Sequence, residues 1–156
     1  EPSPSAPDTR PGRFACAWLP LADGLLVVAS LDAPDAPGLS GAQQELLMRM
    51  AAALAPGHAL PAPVEYHWPP RGVRVPGLAR PAEAEKSLRE QLTSWKAGGV
   101  RDLLLLGDTL VSLLQPLADA AGMRLVLAPS LGAMLADPQA KRACWDLARP
   151  LVRQPS

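Results

Sequence analysis

The residues best equipped for chemistry stand close together. Tyr66, His67 and Trp68 are consecutive, and Arg71 and Arg74 follow shortly after. Aromatic rings can stack nucleobases while guanidinium groups hold phosphates, which is the chemistry of a single-stranded nucleic-acid surface. The same residue types are favoured at the centres of protein–protein interfaces. The plainer reading is an edge strand whose aromatic side chains cover the core. A second candidate is Gly107-Asp108-Thr109, where a strand-to-helix turn would turn backbone N–H groups toward a phosphate. A glycine there also serves backbone geometry alone. The two histidines, His58 and His67, have no carboxylate or cysteine at ligand spacing, so both read as structural or solvated. Cys16 and Cys144 are too few for a disulfide framework, a zinc site or an iron–sulfur cluster, and they read as small buried apolar residues. No Ser–His–Asp arrangement emerges, and no cofactor or metal is expected.

Composition narrows the partners. Of 156 residues, 48% are hydrophobic and 19% charged, a globular balance. Fifteen basic residues against fifteen acidic ones give a formal charge of zero. A non-specific nucleic-acid binder draws its affinity from a basic surplus that displaces counterions. No apolar run approaches the roughly 20 residues of a membrane span, so no membrane partner is expected. Two lone thiols make a reducing compartment, the cytoplasm, the default.

The elements that must position these residues can be read from pattern. Residues 1–13, with Pro2, Pro4, Pro7 and Pro11, read as a disordered proline-rich linker, and 152–156 as a disordered tail. Residues 14–151 read as a single α/β domain. Residues 14–19 form a short apolar stretch, either a strand or a lead-in segment. Residues 25–31 (LLVVASL), 100–106 (VRDLLLL) and 123–127 (MRLVL) are short apolar runs, the pattern of strands buried on both faces. Residues 64–68 (VEYHW) alternate and are β-prone. Ser40 caps a helix to about residue 55. Pro81 opens one to about residue 97. A third helix is expected over 109–121, capped by Asp108 or Thr109 and kinked or cut at Pro116. Ser130 starts a short helical turn. Asp137-Pro138 starts the last helix, with Ala143, Leu147 and Leu151 on one side. Strands alternating with helices imply a three-layer α/β/α sandwich with a mainly parallel sheet. Ligands of such sheets bind at the carboxyl ends of the strands.

The order of these motifs resembles bacterial uracil-DNA glycosylases of the iron–sulfur type. Residues 25–28, a proline-containing loop and GAQQELLMRM (41–50) are similar to their first strand, loop and helix. Trp68-Pro69-Pro70 with Arg74 and Pro76 resembles their proline–arginine loop. LLLLGDTLVSLL (103–114) resembles the strand and helix that follow, and LAPSLGAMLADPQAKRACWDL (127–147) their terminal motif. The resemblance implies a uracil-DNA glycosylase-like fold over about 25–150. The working groups differ. The family's Gly-Glu after the first strand stands here as Ala29-Ser30, and its terminal-motif histidine as Ala128, followed by Pro129 and Ser130. An imidazole stabilises the anion that develops on a departing base, and alanine cannot. Four cluster cysteines would also be needed. The resemblance therefore implies a degenerate site at Ala29, Ser30, Ala128, Pro129 and Ser130.

The psi subunit family of bacterial DNA polymerase III is similar in a way that fits this loss. Its C-terminal segment resembles residues 128–131, Leu135, Asp137-Pro138, Arg142 and Trp145. The resemblance implies a non-catalytic connector of the replisome. Its partners would be the chi subunit, single-strand-binding protein through chi, and the clamp loader. Clamp-loader binding would use an N-terminal peptide that would lie ahead of Glu1 and is not in this chain. Tyr66, Trp68, Arg71 and Arg74 are the candidate partner-binding residues. Two alternatives stay open. One is a divergent glycosylase using Asp32 or Asp35 to activate water and His67 or Arg71 to bind the anion. The other is a single-stranded nucleic-acid module using Tyr66, Trp68, Arg71 and Arg74.

Overall fold

The computed structural model describes residues 11–31, 33, 38–70 and 72–152. Strand β1 (Phe14–Pro20) is followed after four residues by β2 (Leu25–Ser30). Four residues cannot make a crossover, so the strands fold back as an antiparallel pair, with Cys16 opposite Ser30 and Pro20 opposite Leu26. Helix α1 (Gly41–Leu54) comes next, then β3 (Val64–Trp68) and helix α2 (Pro81–Ala97). Strand β4 (Asp102–Leu106), helix α3 (Val111–Ala121) and β5 (Arg124–Ala128) follow. Helices α4 (Leu131–Ala136) and α5 (Pro138–Ala148) end the fold with a short 3-10 turn, Arg149–Leu151.

The sheet order is β3-β1-β2-β4-β5. β2 pairs with β4, and β4 with β5, in parallel, while β1 pairs antiparallel with both β2 and β3. The sheet is therefore mixed, and the expectation of a mainly parallel one is corrected. The cause is the residue 14–20 segment. It is a full strand inserted between β3 and β2, and its short link to β2 reverses its direction.

Alternation along the central strands builds two cores. Val27, Ala29, Leu104 and Leu106 face one side, with Leu47, Leu54, Leu131, Cys144 and Ala148 against them. Leu26, Val28, Leu103 and Leu105 face the other, with Leu88, Leu92, Leu113, Leu114 and Trp95. Helices α1, α4 and α5 thus cover one face, and α2 and α3 the opposite one. No helix among the described residues is long and apolar enough to cross a membrane.

Local chemistry fixes the helix ends. The Ser40 hydroxyl accepts from the Gln43 N–H at 3.1 Å, and the Gln43 side chain accepts from the Ser40 N–H at 3.1 Å, closing a capping box. Ser130 caps α4 through the Ala133 N–H, and Asp137 caps α5 through the Gln139 N–H. Three further expectations need correction. Helix α3 begins at Val111, two residues late, with no side-chain cap from Asp108 or Thr109. It is also not cut at Pro116 but continues to Ala121. Pro116 and Ser112, whose carbonyl loses its partner, both lie on the exposed side, where the orphaned group is open to solvent. Finally, α5 is turned by one residue. Cys144, Ala148 and Leu151 are buried, whereas Ala143 and Leu147 are exposed. Small residues at 144 and 148 let the helix approach the sheet, and Trp145 packs half-buried at the flank. β5 is an edge strand, so only Ala128 of its residues is fully buried.

Of the expected linker, residues 1–10 lie outside the described residues, as do 153–156 of the expected tail. Gly12 presses against the chain at 79–80. A side chain at Gly12 would begin 2.5 Å from the Ala79 carbonyl oxygen. Val152 packs against the α1/α4/α5 core.

Candidate functional site

Strand directions bring both sets of candidate residues to one end of the sheet. β3 opposes β1, which opposes β2, so β3 runs with β2, β4 and β5. Trp68, Ser30, Leu106 and Ala128 therefore all mark carboxyl ends on the same rim. β3 and β5 are its two edges, four strand spacings or about 19 Å apart. Each edge carries a cleft.

The β5 cleft, about 500 Å³, is lined by Gly107, Asp108, Leu127, Ala128, Pro129, Ser130 and Ala133. It contains Ala128, Pro129 and Ser130, three of the five residues at which the glycosylase resemblance implies a degenerate site. Ala29 is fully buried in the core. The Ser30 hydroxyl is buried without a hydrogen-bond partner. Gly107 has φ 101° and closes the floor. A Cβ there would stand 3.2 Å from the Ser130 Cβ and 3.3 Å from the Ser30 Cβ. The glycine is thus required by backbone conformation and by close approach of two serines. Its N–H donates to the Ala128 carbonyl at 2.9 Å, so it is not free for a phosphate. The exposed Asp108 adds a negative charge beside any phosphate that entered.

The β3 cleft is larger, about 960 Å³, and differs in character. Trp68, Pro69, Pro70, Val73, Val75 and Pro76 give it an apolar surface, and Arg13, His67 and Arg74 border it. The Trp68 indole N–H donates to the Leu78 carbonyl at 3.1 Å, which ties the 72–79 loop to the end of β3. The Trp68–Pro69 peptide bond is cis. Val73 and Val75 stand 42% and 55% exposed, unusual for valines with a core nearby.

The four candidate partner-binding residues separate. Trp68 and Arg74 line the β3 cleft. Tyr66 turns to α2, where its hydroxyl bonds to the Ser87 hydroxyl. Its ring lies 5.8 Å from Phe14 and 5.2 Å from Trp18, with Trp95 beyond. Tyr66 is thus part of an aromatic cluster against α2, not of the cleft. Arg71 lies outside the described residues, as do Asp32 and Asp35. Arg13 falls in the expected linker and has no sequence signal for this cleft, whereas Val73 and Val75 belong to the 71–80 loop that, with Tyr66 and Trp68, reads as a candidate partner-binding face without either valine standing out. The signal for the valines was their alternation with arginine in RGVRVPGLAR (71–80).

The remaining candidates are dispersed. His67 sits on β3, across the sheet from Ala128, and cannot share the β5 cleft. His58 is half-buried in the turn after α1, its N–H donating to the Ala55 carbonyl. Cys16 and Cys144 lie in opposite cores, so they neither pair nor share a cluster. Burial pushes the Cys16 thiol up to about 12 and the Cys144 thiol up to about 11, far from reactive thiolates. Among the described residues there is no group of three or more His, Cys, Asp or Glu side chains able to hold a metal ion. Compared with protein-family models, with curated proteins and with solved structures, the chain matches none.

Proposed function

We propose that this chain is a non-catalytic adaptor that holds other proteins together, a replisome component of the psi type. In this reading it keeps a glycosylase-like scaffold in place of a glycosylase's active centre. Its partners are the chi subunit, single-strand-binding protein through chi, and the clamp loader through a peptide ahead of Glu1. The observation that carries the reading is the contrast between the two clefts. The β5 cleft, where a glycosylase-like centre would sit, offers Ala128, Pro129, Ser130 and one exposed carboxylate, Asp108. Among the described lining residues there is no imidazole or guanidinium to stabilise the anion of a departing base. The β3 cleft presents what interfaces favour, a tryptophan, exposed aliphatic side chains and arginines.

The test is direct. Mixed with the chi subunit of the same organism at micromolar concentration, the chain should form a complex by calorimetry and gel filtration. Absence of heat and of co-elution overturns the psi reading. Release of free base from a uracil- or hypoxanthine-containing oligonucleotide by the purified chain overturns its non-catalytic part.

A further inference from the structure

The β3 cleft combines two features that together specify a kind of occupant. Its surface is exposed and more apolar than polar, and every charged side chain described in its lining is a cation. Arg13 and Arg74 form no ion pair among the described residues. Arg80 adds a third guanidinium, its central carbon 3.5 Å from where a side chain on Gly77 would begin. In a chain of zero net charge this is a local concentration of positive charge with no ion-pair partner among the described residues. The wall at 73–75 belongs to neither helix nor strand, and Arg74 takes part in no backbone hydrogen bond among the described residues.

We propose that this cleft docks an extended acidic segment of a partner protein. The segment's carboxylates would face Arg13 and Arg74, and its apolar side chains would lie on Trp68, Val73 and Val75. The proposal rests on the adaptor reading for the statement that the partner is a protein. A nucleic acid fits the cleft less well. Single strands bind on a series of free aromatic faces. Among the described lining residues only the adjacent Trp68 and His67 carry aromatic rings, and the Trp68 N–H is already engaged by Leu78. Tyr66 is committed to Ser87 and to the cluster with Trp18. Valines and prolines offer no stacking, but they do offer apolar contact to Leu, Ile or Phe side chains. Guanidinium groups pair with carboxylates in forked geometry, which supplies register and specificity.

The experiment uses the whole chain and fluorescence polarisation. The probe is a labelled peptide alternating Glu with Leu and Phe. A second peptide carries Gln for Glu, and a labelled oligothymidylate is the third ligand. The acidic peptide should bind, more weakly as salt rises, and the Gln peptide should bind at least about tenfold less tightly. The double variant Arg13→Glu/Arg74→Glu should lose about tenfold or more, and Val73→Ser/Val75→Ser should also weaken binding while keeping the salt dependence. Lys141→Glu, on the exposed side of α5, should leave it unchanged. All these side chains are exposed, and circular dichroism of each variant confirms folding. Equal binding of acidic and neutral peptides overturns the proposal. So does binding of the acidic peptide that Arg13→Glu/Arg74→Glu leaves unchanged, tighter binding of oligothymidylate through the same arginines, or no peptide binding at all. Titration with the chi subunit separates the two readings. Acidic-peptide binding without chi binding retains this site and removes the psi assignment. Chi binding that ignores both double variants retains the adaptor and removes this site.

Discussion

At the scale of single residues, the chain's unusual groups are explained by packing. Gly107 holds a left-handed φ between Ser30 and Ser130. Gly107→Ala should cost about 1–3 kcal/mol from backbone strain and close contact, lowering the urea midpoint with an unchanged slope. The thiols give a pH signature. Burial raises Cys16 from 9.0 to about 12 and Cys144 from 9.0 to about 11. The native chain therefore keeps protons that the unfolded chain releases near pH 9.0. Stability from these groups is complete below that value and falls as pH climbs toward 11 and 12. Each thiol contributes a slope of about 1.4 kcal/mol per pH unit in that window. Urea titrations at about pH 8 and about pH 10 should show the loss, and Cys16→Ala/Cys144→Ala should flatten it. Thiol reagents should label neither cysteine until denaturant is added.

At the scale of elements, what was legible in the sequence is what neighbouring residues decide. Ser40, Pro81 and Asp137-Pro138 mark helix starts through contacts within one turn, and each start is found at its expected place. Ser40→Ala removes the hydroxyl that accepts from the Gln43 N–H, while the backbone N–H at position 40 stays, and should cost about 1 kcal/mol by chemical denaturation. Strand direction and helix rotation were not legible, because contacts with distant residues decide them. The 14–20 segment reads as apolar in any direction, and only its insertion between β2 and β3 makes the sheet mixed. Helix α5 carries apolar residues on two adjacent stripes, and the sheet selects the smaller pair, Cys144 and Ala148. One substitution tests that rotation, and a second, in the core strand β4, sets the scale of a buried leucine. Leu147→Ala should change stability by less than about 0.5 kcal/mol because Leu147 is exposed. Leu104→Ala, at a fully buried position of β4, should cost about 2–5 kcal/mol.

At the scale of the whole molecule, the β3 cleft exists only because the fold joins two remote segments, residue 13 and residues 67–79. Arg13 precedes β1, Trp68 ends β3, and Arg74 belongs to the loop toward α2. The sequence shows Trp68 and Arg74 as neighbours but gives no reason to add Arg13, which arrives through the β1–β3 pairing of Phe14 with Trp68. The same assembly makes a kinetic prediction for the proposed chi complex. With fifteen charges of each sign, the molecule has no net field to steer a partner from afar. Attraction must come from the arginine cluster at short range, within about one Debye length, roughly 8 Å at physiological salt. Association should therefore speed up only modestly as salt is lowered. Reversing Arg13 and Arg74 to glutamate shifts the balance of charge by −4, two positive charges becoming two negative ones. The association rate should then fall and rise with added salt, because screening now relieves repulsion. Stopped-flow mixing across a salt series measures both slopes. Equal slopes for the two proteins would place the encounter surface elsewhere on the molecule.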